Sequence, residues 1–374
     1  MRIVSWIVLI AWIGTFLRTI LNLLLIPRLR RDAPVAGPAV SVIIPARNEE
    51  LSIEATVRGF LGQTYSPMEL IVVNDRSTDA TGSILQRLSD PRLRVMTGEE
   101  PPPGWLGKPW ALHQGSLAAS GEILLFVDAD ILYSPWAVAG AVGRIQESGA
   151  AMLALWPRLV MSTFWERLIL PFLTITLWSF IPSWLANRTR IPILGVGGGI
   201  GNAVWRAAYV ATGGHEALRS AVVDDVGLAR LIRRAGGRTE IVQADDSVSV
   251  RMYRGGRETI EGFTKNVFSA FGRSYVFALL FAVFGMIFHV LPYGLALTGD
   301  PVNVATVALI TATRVLLFAV LGYPLLHALF AHPFTVLVWT WINLRSMWFT
   351  GIRKKLTWRG RTYDADTTRF GADR

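Results

Sequence analysis

The chain has 374 residues, of which 52% are hydrophobic and only 17% charged, with a mean hydropathy of +0.40. That is too apolar for an ordinary soluble enzyme, and long enough for one large catalytic domain plus membrane segments. The net charge of +10 is scattered or flanks apolar spans, with no Arg-rich arm, so it fits membrane anchoring and not nucleic-acid binding; the absence of cysteine excludes disulfides and thiolate metal sites.

Residues 3–26, IVSWIVLIAWIGTFLRTILNLLLI, would extend about 36 Å as a helix, enough for a bilayer. PRLRR follows, with no small-x-small cleavage site, so an uncleaved anchor over 1–27 is expected instead of a signal peptide. Arg28, Arg30 and Arg31 place the next domain on the cytoplasmic side. Arg18, inside the span, is expected to snorkel or pair.

From about residue 40 to 250 the pattern alternates between strand and helix. AVSVIIP (39–45), MELIVVND (68–75), RLRVM (92–96) and EILLFVD (122–128) read as strands, being short β-rich apolar runs. EELSIEATVRGFL (49–61), DATGSILQRLS (79–89) and KPWALHQGSLAAS (108–120) read as helices between them. The expected fold is α/β, a mostly parallel sheet with helices on both faces, over a domain of 39–272. Ligands of such sheets bind beyond the carboxyl ends of the strands. Pro45, Ala46 and Arg47, then Asp75, then Asp128 and Asp130, all stand there.

Residues 153–195 are apolar again but interrupted by Pro157, Pro171, Pro182 and Pro192. Interfacial helices over about 157–192 are expected, with Trp156, Trp165, Trp178 and Trp184 as anchors; a buried hairpin is the rival. The region 273–352 is membrane-like, with spans expected at 275–297 and 302–330 and a third candidate at 333–351. The basic tail, 353–374, should be cytoplasmic. Three spans would leave it outside, so one segment is expected to be re-entrant or interfacial.

Several short motifs carry chemistry. In VVNDRSTDAT (72–81), Ser77 and Asp79 are read as caps of the next helix. Asp75 instead points from a strand end towards the crevice. Asp128 and Asp130 sit two apart, so both face one way and form a hard-oxygen pair suited to Mg2+ or Mn2+. A cation there would relieve the repulsion between the carboxylates and a substrate diphosphate. In VVDDVGLARLIRRAGG (222–237), Asp224 and Asp225 fall in the first turn of a helix ending at Gly236. One would orient and the other act as general base. The glycine cluster GVGGGIGNAVWRAAY (195–209) contains no G-x-G-x-x-G, so it is read as a close approach of backbone to ligand. Arg251, Arg254, Arg257 and Lys265 cluster before the C-terminal spans, as lipid or phosphate contacts.

Taken in order, VSVIIPARNEE (40–50), NDRSTD (74–79), GKPWAL (107–112), GEILLFVDAD (121–130), GGHE (213–216) and DDVGLARLIRRAG (224–236) resemble glycosyltransferase family 2. These are inverting sugar transferases of GT-A fold, and the MY…EGFTKN and WRGRTY segments look most like the membrane-bound hopene-associated and carotenoid members. The resemblance implies that Asp75 contacts the nucleotide base, usually uracil, with Pro45, Ala46, Arg47 and Glu49 lining the same pocket. It implies Asp128 at the ribose or a metal-bound water, Asp130 on the cation, and Lys108 near the phosphates or sugar. Asp225 matches the catalytic base, with Asp224 replacing the more usual Glu. Arg76 stands where a glycine is usual. There is no QxxRW, which argues for transfer of one or few sugars, with Arg251 or Arg254 as substitutes for its arginine.

The expected protein is therefore an integral enzyme of a bacterial-type inner membrane that faces the cytoplasm. It would move a sugar from a nucleotide sugar, expected to be a UDP-sugar, to a lipid or polyprenoid acceptor. The rivals are a non-catalytic scaffold on a degenerate transferase fold and a nucleotidyltransferase.

Overall fold

The apolar run expected at 39–45 becomes the central strand, β1 (Ala36–Ala46), and its residues Val40 to Ile44 are all buried. A strand without polar alternation needs cover on both faces. It gets two cores. Val42 and Ile44 face one that includes Val57, Phe60, Val138 and Ile145, from the helices Ile53–Leu61 and Ala137–Ser148. Ile43 faces the other, with Ala111 and Leu112 of the helix Gly107–Ala118 and Leu228 and Ile232 of the helix Asp224–Arg234. On that second face Gly115 packs so tightly that a Cβ would come 2.5 Å from Ile43. Lys108 and the Asp224–Asp225 pair thus arrive on the same side of the sheet.

This computed structural model describes residues 2–353, with the strand backbone of Lys355–Trp358 and Arg361–Asp364; the expectations for the basic tail lie outside the described residues. The other strands are β2 (Ser66–Asn74), β3 (Leu93–Thr97), β4 (Ile123–Phe126), β5 (Ile131–Tyr133), β6 (Met152–Trp156), β7 (Arg158–Leu159), β8 (Asn202–Trp205), β9 (Thr239–Gln243) and β10 (Val248–Val250). Seven form one sheet in the order β3-β2-β1-β4-β8-β6-β9, and β5-β10-β7 form a small second sheet. Pairing in the main sheet is parallel except at β8, which runs antiparallel to both β4 and β6. The antiparallel strand falls inside the segment read only as a glycine cluster. Its strand content is the four residues NAVW, too short to register against the glycines before it.

Among the described residues three helices are long and apolar enough to cross a membrane: Arg2–Leu25, the continuous helical stretch Tyr275–Ala296, and Pro301–Leu321. The span expected at 302–330 is cut at Gly322, whose left-handed backbone (φ 68°) ends the helix. The 333–351 candidate becomes the helix His332–Ser346, which buries Thr335, Asn343 and Ser346 against protein and is not among the three. Asn303 donates to Ser5 Oγ at 3.0 Å, so Pro301–Leu321 starts where the N-terminal helix starts. Both run back towards the catalytic domain.

The N-terminal helix is more than an anchor. Asn22, fully buried, donates to the carbonyls of Trp178 and Ile181 (both 2.8 Å) and accepts from the Trp184 amide (3.0 Å). Arg18 pairs inside the protein, with the carbonyls of Ser179 and Phe180. Beyond the helix, Leu29 donates to the Gln243 carbonyl and Gln243 to that of Pro27, fixing the chain to the edge strand β9. The expected role of Trp178 is corrected: it is completely buried under this helix, while Trp165 is 45% exposed. Asn22→Leu keeps the volume but strands two carbonyls and an amide. It should cost roughly 2–3 kcal/mol, read as a lower thermal midpoint of the detergent-solubilised chain.

Candidate active site

The strand ends build the site. In register, β2 ends at Asn74 beside Ala46 of β1, and Phe126 of β4 pairs with Ile43. The residues that follow, Arg47, Asp75 and Asp128, therefore enter one crevice. A cavity of about 430 Å3 opens there. It is lined by Pro45, Ala46, Arg47, Glu49 and Asp75, by Lys108, by Asp128 and Asp130, and by Asp224 and Asp225. Ten of the candidate residues, separated by up to 180 positions, are gathered here by the fold. Asp130 and Asp225 share this one cavity.

Asp75 is almost wholly buried. The Arg47 guanidinium donates to its backbone carbonyl at 2.7 Å and stands 4.0 Å from its carboxylate. Arg76 holds φ 51°, the left-handed conformation that a glycine would take without cost, and pairs with Glu100. The loop thus keeps a glycine-like path despite the substitution. Asp79 is not the cap expected of it: the N-cap position of the helix Thr81–Arg87 is Ala80, and Asp79, one residue before it, accepts from the Thr81 amide at 3.0 Å. Ser77 does not cap; it accepts from the Asn48 amide at 3.1 Å and ties the loop after β1 to the loop after β2.

Lys108 bridges the acidic groups. Its Nζ lies 2.7 Å from Asp128 Oδ1 and 3.7 Å from Asp224 Oδ1. Burial disfavours the ammonium, but Asp128, Asp224 and Asp225 outweigh that and raise its pKa. The two adjacent aspartates are pushed in opposite directions. Burial would raise Asp224, yet Lys108 and His215 hold it below the ordinary carboxylate value. Asp225 is raised to about 6, first by burial and then by the Asp224 charge beside it. Neighbouring carboxylates split in this way give one fixed anion and one group able to take a proton near neutrality.

The glycine cluster has a definite task. Asp128 N donates to the Gly199 carbonyl at 2.6 Å, and Asn202 Nδ2 donates to the Asp225 carbonyl at 3.3 Å. A Cβ on Gly199 would strike the Asp128 carboxylate, and one on Gly197 the Asp225 carbonyl. These glycines let Asp128 and Asp225 approach across one loop. The close approach read from the sequence is to Asp128 and Asp225 as well as to the cavity.

Two expected residues lie elsewhere. Arg251 and Arg254 line a neighbouring cavity of about 530 Å3, which shares Glu49 and Asp130 with the first. Arg251 donates to Glu166 at 3.0 Å. Burial would raise Glu166, but Arg251 and the amides of Ser162 and Gly255 bring it to about 2. The main cavity also has an apolar part that sequence reading missed: Trp156, Leu173, Val250, Met252 and Phe263. Trp156 and Val250 end strands, Met252 follows β10, and Leu173 and Phe263 come from helices beside the candidate membrane spans. Met252 and Phe263 fall in the MY…EGFTKN segment, but only the tertiary fold turns them into the cavity.

A model described as Glycosyl transferase family 2 matches residues 41–209. The match stops short of Asp224 and Asp225, which the geometry adds. A 4,4'-diaponeurosporenoate glycosyltransferase of Staphylococcus aureus (strain MRSA252) is 26% identical over 337 residues, covering 87% of this chain and 88% of that protein. The protein of the same name from strain USA300 is 25% identical over the same length. Among solved structures, a mannosyltransferase from Pyrobaculum calidifontis in complex with GDP-Man and Mn2+ has a TM-score of 0.54 at 20% identity, covering 92% of this chain and 96% of that one. At that identity the likeness speaks for the GT-A fold.

Proposed function

We propose that this chain, which a model described as Glycosyl transferase family 2 matches over residues 41–209, transfers one sugar, with inversion, from a nucleotide sugar to a lipid at the cytoplasmic face. The observation that carries the reading is a single cavity with two characters. It joins Asp75, Lys108 and four carboxylates to an apolar wall of Trp156, Leu173, Met252 and Phe263. Leu173 and Phe263 belong to the helices Pro171–Ile175 and Gly255–Ala270, which pack with the membrane helices. An acceptor with a long apolar tail would reach this wall without leaving the bilayer. Two C-terminal spans return the chain to the side it left, and Arg28, Arg30 and Arg31 after the first span favour the cytoplasm for that side.

In this reading Asp75, with Arg47 behind it, accepts from the donor's base, and a UDP-sugar is the expected donor. The solved mannosyltransferase holds GDP-Man, so both donor types belong in the test. Lys108 stands among the carboxylates where a diphosphate would lie. Asp225 removes the acceptor's proton as its oxygen attacks the anomeric carbon, and the glycosidic bond to the diphosphate breaks on the opposite face.

Asp128 and Asp130 suit a divalent cation such as Mg2+ or Mn2+. Both line the cavity, and among the described residues no group of three acidic or His side chains could hold an ion alone. The remaining positions would fall to diphosphate oxygens and water, as at many magnesium sites. When bound, the ion supplies charge neutralisation for the leaving nucleoside diphosphate. EDTA should therefore stop turnover and Mn2+ restore it. Asp130→Asn should cost about 100-fold or more, measured as nucleoside diphosphate release; turnover indifferent to EDTA would refute the metal role.

The staphylococcal relative is named for an acid anion, diaponeurosporenoate. An acceptor carboxylate has no proton to surrender, so a carboxylate-bearing acceptor would tolerate loss of Asp225. The deciding experiment incubates the full chain in nanodiscs with UDP- and GDP-sugars, Mn2+ and extracted bacterial membrane lipids. A lipid heavier by one sugar is expected, with release of nucleoside diphosphate. Release of pyrophosphate instead would make the chain a nucleotidyltransferase.

A further inference from the structure

Behind the cavity a chain of buried polar groups leads from the sheet's second core to Asp224. The Tyr209 hydroxyl stands 3.1 Å from Ser116 Oγ, accepts the backbone N–H of His215 at 3.0 Å, and lies 2.9 Å from His215 Nδ1, to which its one hydrogen goes in the tautomer that carries the ring hydrogen on Nε2. Gly213 and Gly214, with φ of 75° and 49°, fold the chain back onto Tyr209. A Cβ on Gly214 would enter the tyrosine ring, so this turn is built for contact. Phe126 meets the imidazole edge-on, with centroids 4.7 Å apart. His215 is 1% exposed.

With Nδ1 engaged by Tyr209, the other ring nitrogen faces Asp224: Nε2 stands 3.6 Å from Oδ2. Opposite a carboxylate that nitrogen carries the hydrogen. Lys108 stands at the other oxygen, Oδ1. Asp224 thus has a partner facing each oxygen, a cation in the cavity at 3.7 Å and a histidine outside it at 3.6 Å. His215 does not line the cavity, so it touches no substrate. A histidine serving only to fill the core would not need a tyrosine to fix its ring with the other nitrogen turned towards a carboxylate.

We propose that His215, clamped by Tyr209, is a positioning residue that locks the Asp224 carboxylate so that the next residue, Asp225, presents its own to the acceptor. The inference rests on Asp225 being the base. Asp224 and Asp225 open the same helix, with backbone torsions in common. Anchoring the Asp224 side chain ties the start of that helix to Lys108 and His215, and so restrains the backbone that carries the Asp225 carboxylate. The Asp225 amide neighbour, Val226, already donates to Asp225 Oδ1 at 2.7 Å, which leaves Oδ2 as the oxygen whose direction matters.

The test compares the wild-type chain with His215→Leu, His215→Gln and Tyr209→Phe in nanodiscs. Turnover is followed with UDP-glucose and GDP-mannose, Mn2+ and bacterial membrane lipid extract. His215→Leu should lower kcat roughly 10- to 100-fold, as misplacement of a reacting group does, with the donor KM within about twofold of wild type. Gln places an N–H close to the Nε2 position and should recover most of the loss; Tyr209→Phe should fall between. UDP–Mn2+ affinity and the thermal midpoint, measured for each variant, identify folded protein, and if His215→Leu does not fold, Tyr209→Phe and His215→Gln carry the comparison. A folded His215→Leu with wild-type kcat, a KM that rises in step with the loss, or no recovery by Gln overturns the inference. A wild-type chain that consumes neither donor overturns the transfer reading itself, which separates the two failures.

Discussion

Asp225→Asn is expected to lower kcat by about 10^2- to 10^4-fold and to leave nucleotide affinity close to wild type. The substitution keeps the shape and the hydrogen bond from the Val226 amide, so the helix start should survive. What it removes is the ability to accept a proton. Asp225 is suited to that task because burial and the Asp224 charge raise it to about 6, close to working pH. The sign of the pH dependence follows. A base works deprotonated, so turnover should be constant above about 6 and fall about tenfold per pH unit below it. The acid limb should vanish in Asp225→Asn, where the residual rate has no carboxylate at this position to titrate. Full turnover by the variant would mean that the acceptor arrives already ionised or that another group takes the proton.

Much of this site was legible because strand ends announce themselves. An apolar run such as ILLFV that stops at Asp128 can only stop at water or a ligand, since an unpaired buried carboxylate is too costly. The same argument found Asp75, and the two-residue spacing found Asp130. The helical period of DDVGLARLIRR placed Asp224 and Asp225 in a first turn, where the structure has them. What stayed hidden depends on contacts between distant segments. GGHE was read as a motif, but the task of His215 within it comes from Tyr209 and Asp224, six and nine positions away, folded onto it. Trp178 read as an interface anchor because a tryptophan in an apolar, proline-broken stretch has that composition. The buried Asn22, which binds the carbonyl of Trp178 itself, gave no periodic signal. Gly199 was noticed, but its neighbour proved to be Asp128, and no spacing rule connects residues 71 positions apart.

Lys108→Met should produce the second large loss, about 100-fold or more in turnover, and it should move the pH profile in a definite direction. The lysine is a lone ammonium among Asp128, Asp224 and Asp225, at 2.7 Å from the first and 3.7 Å from the second. Met fills a similar volume without charge, so the change isolates electrostatics. Three effects follow from one cause. Asp224 keeps only His215 as a partner, and the fold should lose about 1–3 kcal/mol, less than for a fully buried pair because Asp128 is 37% exposed. The donor diphosphate loses a cation in its path, so donor affinity should fall. Asp225 loses the charge that now pulls its proton affinity down, so the acid limb should shift above about 6. Lys108→Arg should not restore the rate, because a planar fork cannot occupy the place of a compact ammonium between two carboxylates. The shift of the acid limb is the discriminating reading. A Lys108→Met enzyme that turns over slowly but keeps its limb near 6 would place the lysine at the phosphates alone. A limb that moves upward would place the same charge at the base as well, and would tie donor binding and proton acceptance to one side chain.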